Sequence, residues 1–456
     1  MHTLDNIQSI YFVGIGGIGM SALARFALKK NRAVFGYDKT KTDLTATLEK
    51  EGAVITFEDS VSSLPPKVKN SISTLVVYTP AIPEDNKILS WFTQQDYRVI
   101  KRAEFLGELT QDTLCLAVAG THGKTTTSAI LGHLLAYCDM PVTAFLGGIT
   151  ENYNSNFISK GTAITVVEAD EFDRSFLTLK PDIACITSMD ADHLDIYGDA
   201  SALEASFLDF ADLVADKNKL LHKKGLPLQG QSIALEEPAA YQGKNIRIEN
   251  GAYKFDFIAP EVTLCDVSFC LPGHHNLYNA VTALSMAILA GAPSHLLKEA
   301  LSKFKGVARR FSYRIRRDDL VLIDDYAHHP TELDALFQGV NEMYPEDQKL
   351  IVFQPHLFSR TRDFIDGFAE SLARFNQVLL LDIYPAREAP IDGVNSSCLL
   401  EKIKKIAIDV DNISLVSKES LAGELKKSSC RVKLLVGAGD IGAEVSQITK
   451  ILKHEN

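Results

Sequence analysis

Leu116-Ala-Val-Ala-Gly-Thr-His-Gly-Lys-Thr-Thr-Thr127 decides the reading of this chain. An apolar run with the character of a buried strand breaks into a turn carrying Gly120 and Gly123, and the turn passes directly into Lys124 and the hydroxyls of Thr125, Thr126 and Thr127 at the start of a helical pattern. That order builds a phosphate cradle. Backbone N–H groups of Gly120, Thr121, His122 and Gly123 and the positive end of the helix dipole face a polyphosphate, the Lys124 ammonium reaches its terminal groups, and the Thr125 hydroxyl is placed to ligate Mg²⁺. The loop is shorter than the usual G-x-x-x-x-G-K-[ST], because Val118 stands where the first glycine would be. An ordinary strand-to-helix turn with a solvated lysine is the simpler alternative.

Working outward, short β-branched or apolar runs alternate with amphipathic stretches, which is the pattern of α/β domains with largely parallel sheets. Expected strands at Ser9–Val13, Ala33–Gly36 and Thr74–Tyr78 belong to a first block, and Leu114–Ala119, Thr162–Glu168 and Ile183–Ser188 to a second. A third has Leu320–Ile323, Leu350–Phe353, Gln377–Leu381 and Lys433–Val436. The segment 223–270 shows only short, poorly patterned β-like pieces. Three α/β domains follow, over residues 1–109, 110–308 and 309–456, a number that suits a 456-residue chain.

Composition narrows the function. A formal net charge of −11 argues against a general nucleic-acid surface. Seven scattered cysteines without a C-x-x-C pair read as reduced thiols of a cytoplasmic protein. No signal peptide or membrane span is expected, since the apolar stretches are short or interrupted.

Other segments carry chemistry. Gly14-Ile-Gly16-Gly17-Ile-Gly19 follows the first strand and leads into a helical pattern, with Asp38 at the end of the next strand. Such a turn brings backbone close to a pyrophosphate, and the acid meets a ribose hydroxyl. NAD and a UDP diphosphate fit equally, and tight helix packing would use the same glycines. Glu168, Asp170 and Glu171 end one expected strand of the second block, and Asp192-His193 follows another. Oxygen donors suit Mg²⁺, so Glu168 is a good ligand and His193 a softer one. Asn276 and Asn279, three residues apart on a helix, share a face that can bind a purine edge, or Asn276 simply caps the helix. In the third block Asp325, Tyr326 and His328 follow one strand, and His356 and Arg360 follow the next. Paired histidines raise the question of a metal, but the interleaved arginine suits an amino acid's carboxylate at least as well.

Taken together and in order, these motifs, with Arg309-Arg310-Phe311, Tyr384–Glu388 and Gly437–Gly442, resemble the Mur ligases over nearly the whole chain. The resemblance implies a Rossmann-like N-terminal domain, a central P-loop ATPase α/β domain and a Rossmann-like C-terminal domain that closes over the nucleotide. It implies ATP-dependent joining of L-alanine to the lactyl carboxylate of UDP-N-acetylmuramate through an acyl phosphate. By the same resemblance Lys124 holds the β/γ-phosphates, Thr125, Glu168 and His193 hold Mg²⁺, and Asn276 and Asn279 contact adenine. Arg310 and Asp325 bind the nucleotide, Tyr326, His328, His356 and Arg360 surround the amino acid, and Gly14, Gly16, Gly17, Gly19 and Asp38 hold the UDP-sugar. Lys124, Glu168, His193 and Arg310 are the expected catalytic set. Three rivals stand beside this reading: a sister ligase that adds a whole tripeptide, an NAD-dependent oxidoreductase, and a binding protein that uses ATP as a switch.

Overall fold

The computed structural model describes residues 4–190, 200–249, 251–386, 388–406 and 413–453. Strands β1 (Ser9–Val13), β2 (Ala33–Tyr37), β3 (Val54–Thr56), β4 (Thr74–Tyr78) and β5 (Arg98–Lys101) form a parallel sheet in the order β3-β2-β1-β4-β5. Period-2 alternation makes it two-sided. Ile10 and Phe12 enter one apolar cluster while Tyr11 and Val13 enter another on the opposite face. The strand order reverses between β2 and β4 on either side of β1, so a crevice opens at the C-terminal end of β1, where Gly14 begins the glycine turn.

A second sheet comprises β6 (Leu114–Ala119), β7 (Val142–Thr150), β8 (Ser155–Ser159), β9 (Ile164–Ala169), β10 (Ile183–Ile186), β11 (Leu220–Lys223), β12 (Gln231–Leu235), β13 (Tyr241–Glu249), β14 (Ala252–Ala259) and β15 (Val262–Phe269). Its order is β15-β14-β13-β12-β11-β10-β6-β9-β7-β8. The middle is parallel, whereas β7 with β8 and β14 with β15 pair antiparallel. Here the structure corrects the sequence reading of residues 223–270, which form continuous strands rather than fragments. Their pattern is obscured by charges on an exposed edge, where Arg247 pairs with Glu249 and Asp266 and Asn245 bonds Asp256. Strand β10 also stops at Ile186, short of Ser188, because Thr187 and Ser188 turn to bind the phosphate loop.

The chain forms two compact units, the first comprising Met1–Glu249, Tyr253–Phe269 and Tyr278–Lys305. Within it one apolar cluster runs through both sheets. Helix Ile18–Lys29 explains this, since every residue from Met20 to Ala27 is buried, so the helix is enclosed on all its faces. Its Phe26 ring lies 5.5 Å from Phe145 and 6.4 Å from Phe157. Each such buried ring contributes about 1.5–3 kcal/mol. Arg25, 7% exposed, bonds both Glu51 and Asn156, and the Asn156 amide donates to Ile18 O at 2.6 Å.

The second unit holds Asn250–Ala252, Cys270–Leu277 and Gly306–Asn456. Its sheet joins β16 (Ser312–Arg316), β17 (Val321–Asp325), β18 (Lys349–Phe353), β19 (Gln377–Leu380), β20 (Ile413–Leu415) and β21 (Val432–Val436). The order is β16-β17-β21-β18-β19-β20, parallel except for β16. Val321, Ile323, Ile351 and Phe353 pack on one face and Leu322, Leu350 and Val352 on the other. No helix among the described residues is long and apolar enough to cross a membrane.

Candidate active site

The phosphate loop leaves β6 in the middle of the second sheet, between β9 and β10. Two glycines are required there. Gly120 has φ +129 and a Cβ on it would collide with the Thr187 hydroxyl; Gly123 has φ +82 and a Cβ on it would come within 2.5 Å of the Asn279 amide oxygen. The loop is braced from β10: Ser188 O accepts from Thr121 N at 3.3 Å, and the Ser188 hydroxyl lies 2.8 Å from Thr121 Oγ1 and accepts from His122 N at 2.9 Å. Helix Lys124–Tyr137 starts at once, with Thr126 buried in its first turn. Its first N–H groups have no partner within the helix, which leaves Lys124, Thr125 and Thr126 N–H facing whatever anion enters.

Side chains complete this end of the sheet. Lys124 Nζ donates to Gly120 O at 2.7 Å and to both oxygens of Glu171, at 2.7 and 2.9 Å. Glu168 sits at the end of β9, directly beside Val118 of β6. Its carboxylate accepts from Thr125 Oγ1 at 3.1 Å, Ser128 Oγ at 3.0 Å and Gly147 N at 2.5 Å. Burial pushes the Glu168 carboxyl above its ordinary range, against the pull of Gly147 N–H, the Lys124 charge and the two hydroxyls. Thr125 and Glu168 are hard oxygen donors side by side, so they fit Mg²⁺. His193, the third expected ligand, lies outside the described residues, as does Asp192. Among the described residues no three His, Cys, Asp or Glu side chains converge on a metal site. The His122 imidazole stands 3.6 Å from Asp190, a contact no local motif announces.

In the first sheet, Gly16 N donates to Asp38 Oδ2 at 2.8 Å, Gly14 N to Tyr37 O at 2.7 Å and Gly17 N to Gly14 O at 3.2 Å. These glycines therefore shape the turn more than they offer donors. The first-turn N–H groups of Ile18, Gly19 and Met20, unsatisfied within the helix, are the ones left for a diphosphate. Beside them stands Arg102, which sequence reasoning passed over: a Cβ on Gly19 would come within 2.7 Å of Arg102 Nη1. Arg102 also reaches Asp170 at 3.4 Å.

The second unit gathers the other expected residues at the C-terminal ends of β17 and β18. Asp325 accepts from Phe311 N at 2.6 Å and Ala327 N at 2.8 Å. Burial pushes its carboxyl up to about 6, with the Arg310 charge and the two N–H groups acting against it. Arg310 lies 3.8 Å from Glu332 and over the Tyr326 ring at 5.4 Å. Tyr326 meets His328 at 5.4 Å between ring centres, His328 meets His356 at 6.1 Å, and Arg360 Nη1 lies 3.2 Å from His356 Nδ1. Thus Tyr326, His328, His356 and Arg360 form one cluster, joined by Tyr384, whose ring stacks on His356 at 5.7 Å. His328 Nδ1 lies 2.9 Å from Tyr326 O. A proton on that nitrogen leaves Nε2 as the acceptor. Burial lowers the His328 pKa below its ordinary 6.5, opposed by the charge of Glu332. Asn276 is buried and its amide donates to Pro272 O at 2.7 Å, so it holds its own helix start.

Models of three protein domains match the chain: "Mur ligase family, catalytic domain" over residues 9–113, "Mur ligase middle domain" over 118–287, and "Mur ligase, glutamate ligase domain" over 309–438. A protein of Christiangramia forsetii named UDP-N-acetylmuramate--L-alanine ligase is 54% identical over all of both chains. One of Flavobacterium psychrophilum with the same name is 55% identical, covering 99% of this chain and 100% of its own. Among solved structures, UDP-N-acetylmuramate-alanine ligase from Thermotoga maritima superposes with a TM-score of 0.83 at 26% identity, over 98% of this chain and 100% of that one. A murein peptide ligase from Psychrobacter arcticus, 19% identical with a TM-score of 0.69 and covering 98% and 99%, shares the fold. Full-length identity above half, and domain models matching in register with all three sheets, lead to one conclusion: the chain belongs to the Mur ligase family.

Proposed function

We propose that this chain is a cytoplasmic ATP-dependent ligase that joins L-alanine to the lactyl carboxylate of UDP-N-acetylmuramate, a step in making peptidoglycan precursors. The observation that carries the reading is the full-length identity to relatives of that name, joined to a loop where Lys124, Thr125 and Glu168 converge. Residues 1–109 hold the UDP-sugar, 110–308 hold ATP, and 309–456 bring the amino acid.

A carboxylate is a poor acyl donor, so its oxygen must first become a leaving group. The lactyl carboxylate attacks the γ-phosphorus of ATP, the bond to the β,γ-bridging oxygen breaks, and acyl phosphate and ADP result. Such a transfer needs alignment and charge neutralisation more than a protein nucleophile. Lys124, the loop N–H groups and the helix N-terminus supply both, and Asn279 is placed beside the loop. Thr125 and Glu168, with His193, would hold Mg²⁺, which when bound offsets charge on the phosphates. In the second unit Arg360 and His356 bind the carboxylate of L-alanine, and His328 Nε2 accepts a proton from its ammonium. The freed amine attacks the acyl carbon and phosphate leaves. Arg310 and Asp325 contact the nucleotide.

The test is phosphate release measured with ATP, UDP-N-acetylmuramate and a panel of L-alanine, serine, glycine and a muropeptide tripeptide. Release that requires the UDP-sugar and is greatest with L-alanine supports the reading. Release with the tripeptide alone would replace it by the tripeptide ligase, and ATP hydrolysis indifferent to acceptors by an ATP switch.

A further inference from the structure

An ammonium has three hydrogens, and the three of Lys124 meet three acceptors: Gly120 O and the two oxygens of Glu171. The pair is enclosed, with the Glu171 side chain 0% and the Lys124 side chain 17% exposed. The lysine that must reach the terminal phosphates is thus already saturated by its own protein, and a phosphate oxygen gains it only by taking it from an acceptor already there. Gly120 O belongs to the loop itself. Glu171 is the partner that can be given up.

The carboxylate is held where it is by its backbone. Glu171 precedes the turn Phe172–Thr178, in which Asp173 and Arg174 adopt left-handed φ of 54° and 52°. Arg174 N bonds Glu171 O at 2.9 Å, Phe176 N and Ser175 Oγ bond Asp170 O at 3.0 and 2.9 Å, and the Phe176 ring stacks 4.9 Å from Phe210 in the core. A residue so anchored does not follow the lysine when the lysine moves.

We propose that Glu171 is a positioning residue that holds Lys124 against the empty phosphate loop, surrenders it to the nucleotide phosphates, and reclaims it as ADP leaves. The inference rests on the ATP reading given above and adds to it a residue that never touches substrate. A bound phosphate must compete with a buried carboxylate for one cation and lies near its negative charge. Glu171 therefore weakens nucleotide binding and speeds release of product. A merely structural ion pair predicts the reverse, since breaking it would loosen the loop and weaken binding.

The experiment is titration and stopped-flow displacement of a fluorescent ADP analogue on the full chain, comparing wild type with Glu171→Gln and Glu171→Asp. Removing the charge is expected to tighten ADP binding about tenfold and slow its dissociation, and the retracted carboxylate of Glu171→Asp is expected to fall between the two. If Glu171→Gln does not fold, Glu171→Asp alone decides. ADP binding no tighter than wild type in either folded variant overturns the proposal. A wild-type chain that binds no ADP would instead overturn the nucleotide reading beneath it.

Discussion

The Thr125 hydroxyl stands 3.1 Å from one oxygen of Glu168, a carboxylate whose pKa burial raises above its ordinary range. The Mg²⁺ proposed for this site would bind only the ionised form, so proton and metal would compete for it. As pH falls through the raised pKa, more of the carboxyl is protonated and the Mg²⁺ concentration for half-maximal ADP formation rises. Titrations carried down from neutral pH toward the ordinary carboxylate value of 4.5 check this. Glu168→Gln is expected to lower kcat about 10²–10³-fold and to flatten that pH dependence; an unchanged dependence would remove Glu168 from the metal site.

Replacing Lys124 by Ala is expected to abolish ligation while leaving UDP-sugar binding intact, because the glycine turn at Gly14 lies on a different sheet. It also takes the Lys124 ammonium away from the carboxylate of Glu171, which is 0% exposed. That costs about 3–5 kcal/mol, so Lys124→Ala should melt well below wild type and the double variant with Glu171→Gln should recover much of the loss. Equal melting temperatures for single and double variants would contradict the buried pair.

Arg102 faces Gly19 at the start of helix Ile18–Lys29. Its guanidinium stands against Gly19, beside the first-turn N–H groups. Arg102→Ala should raise KM for the UDP-sugar about tenfold, the worth of one charge-assisted hydrogen bond, and leave ADP binding unaltered. Steady-state kinetics with varied UDP-sugar decide it, and loss of ADP affinity instead would place Arg102 with the ATP site.

Much of this was legible in the chain and some was not, for physical reasons. Alternation of Ile10 and Phe12 with Tyr11 and Val13 marks a strand covered on both faces, and Gly120 to Thr125 names its own chemistry because each residue type answers a local demand. Strands β13 to β15 were legible only as short pieces because half-exposed strands with Lys244, Arg247, Asp256 and Asp266 lose their apolar signature. Glu171 appeared only as one acid among several. Its pairing with Lys124 joins residues 47 apart in sequence, and no local pattern records such a contact. The polar pair Thr187 and Ser188 at the end of β10 was a signal that could have been read, since hydroxyls closing a strand next to a phosphate loop have little else to bind.

His133 is 4% exposed, with Nδ1 3.0 Å from Tyr153 OH and Nε2 3.0 Å from Ala300 O. Burial holds its pKa below the ordinary 6.5, only partly offset by the Ala300 carbonyl. Between the two values the unfolded chain binds more protons, so stability from this group is present above 6.5 and is lost as pH falls toward the folded pKa. His133→Gln should start from a lower melting temperature yet lose less of it between about pH 7.5 and about pH 5.5. A drop as large as that of wild type would show that His133 does not titrate with unfolding.

The acyl phosphate is the centre of the account, and isotope transfer tests it most directly. UDP-N-acetylmuramate labelled with ¹⁸O in the lactyl carboxylate is turned over with ATP and L-alanine, and the released phosphate is analysed by mass. Attack of that carboxylate on the γ-phosphorus predicts inorganic phosphate carrying one heavy oxygen per amide bond formed. Phosphate released without the label would contradict it.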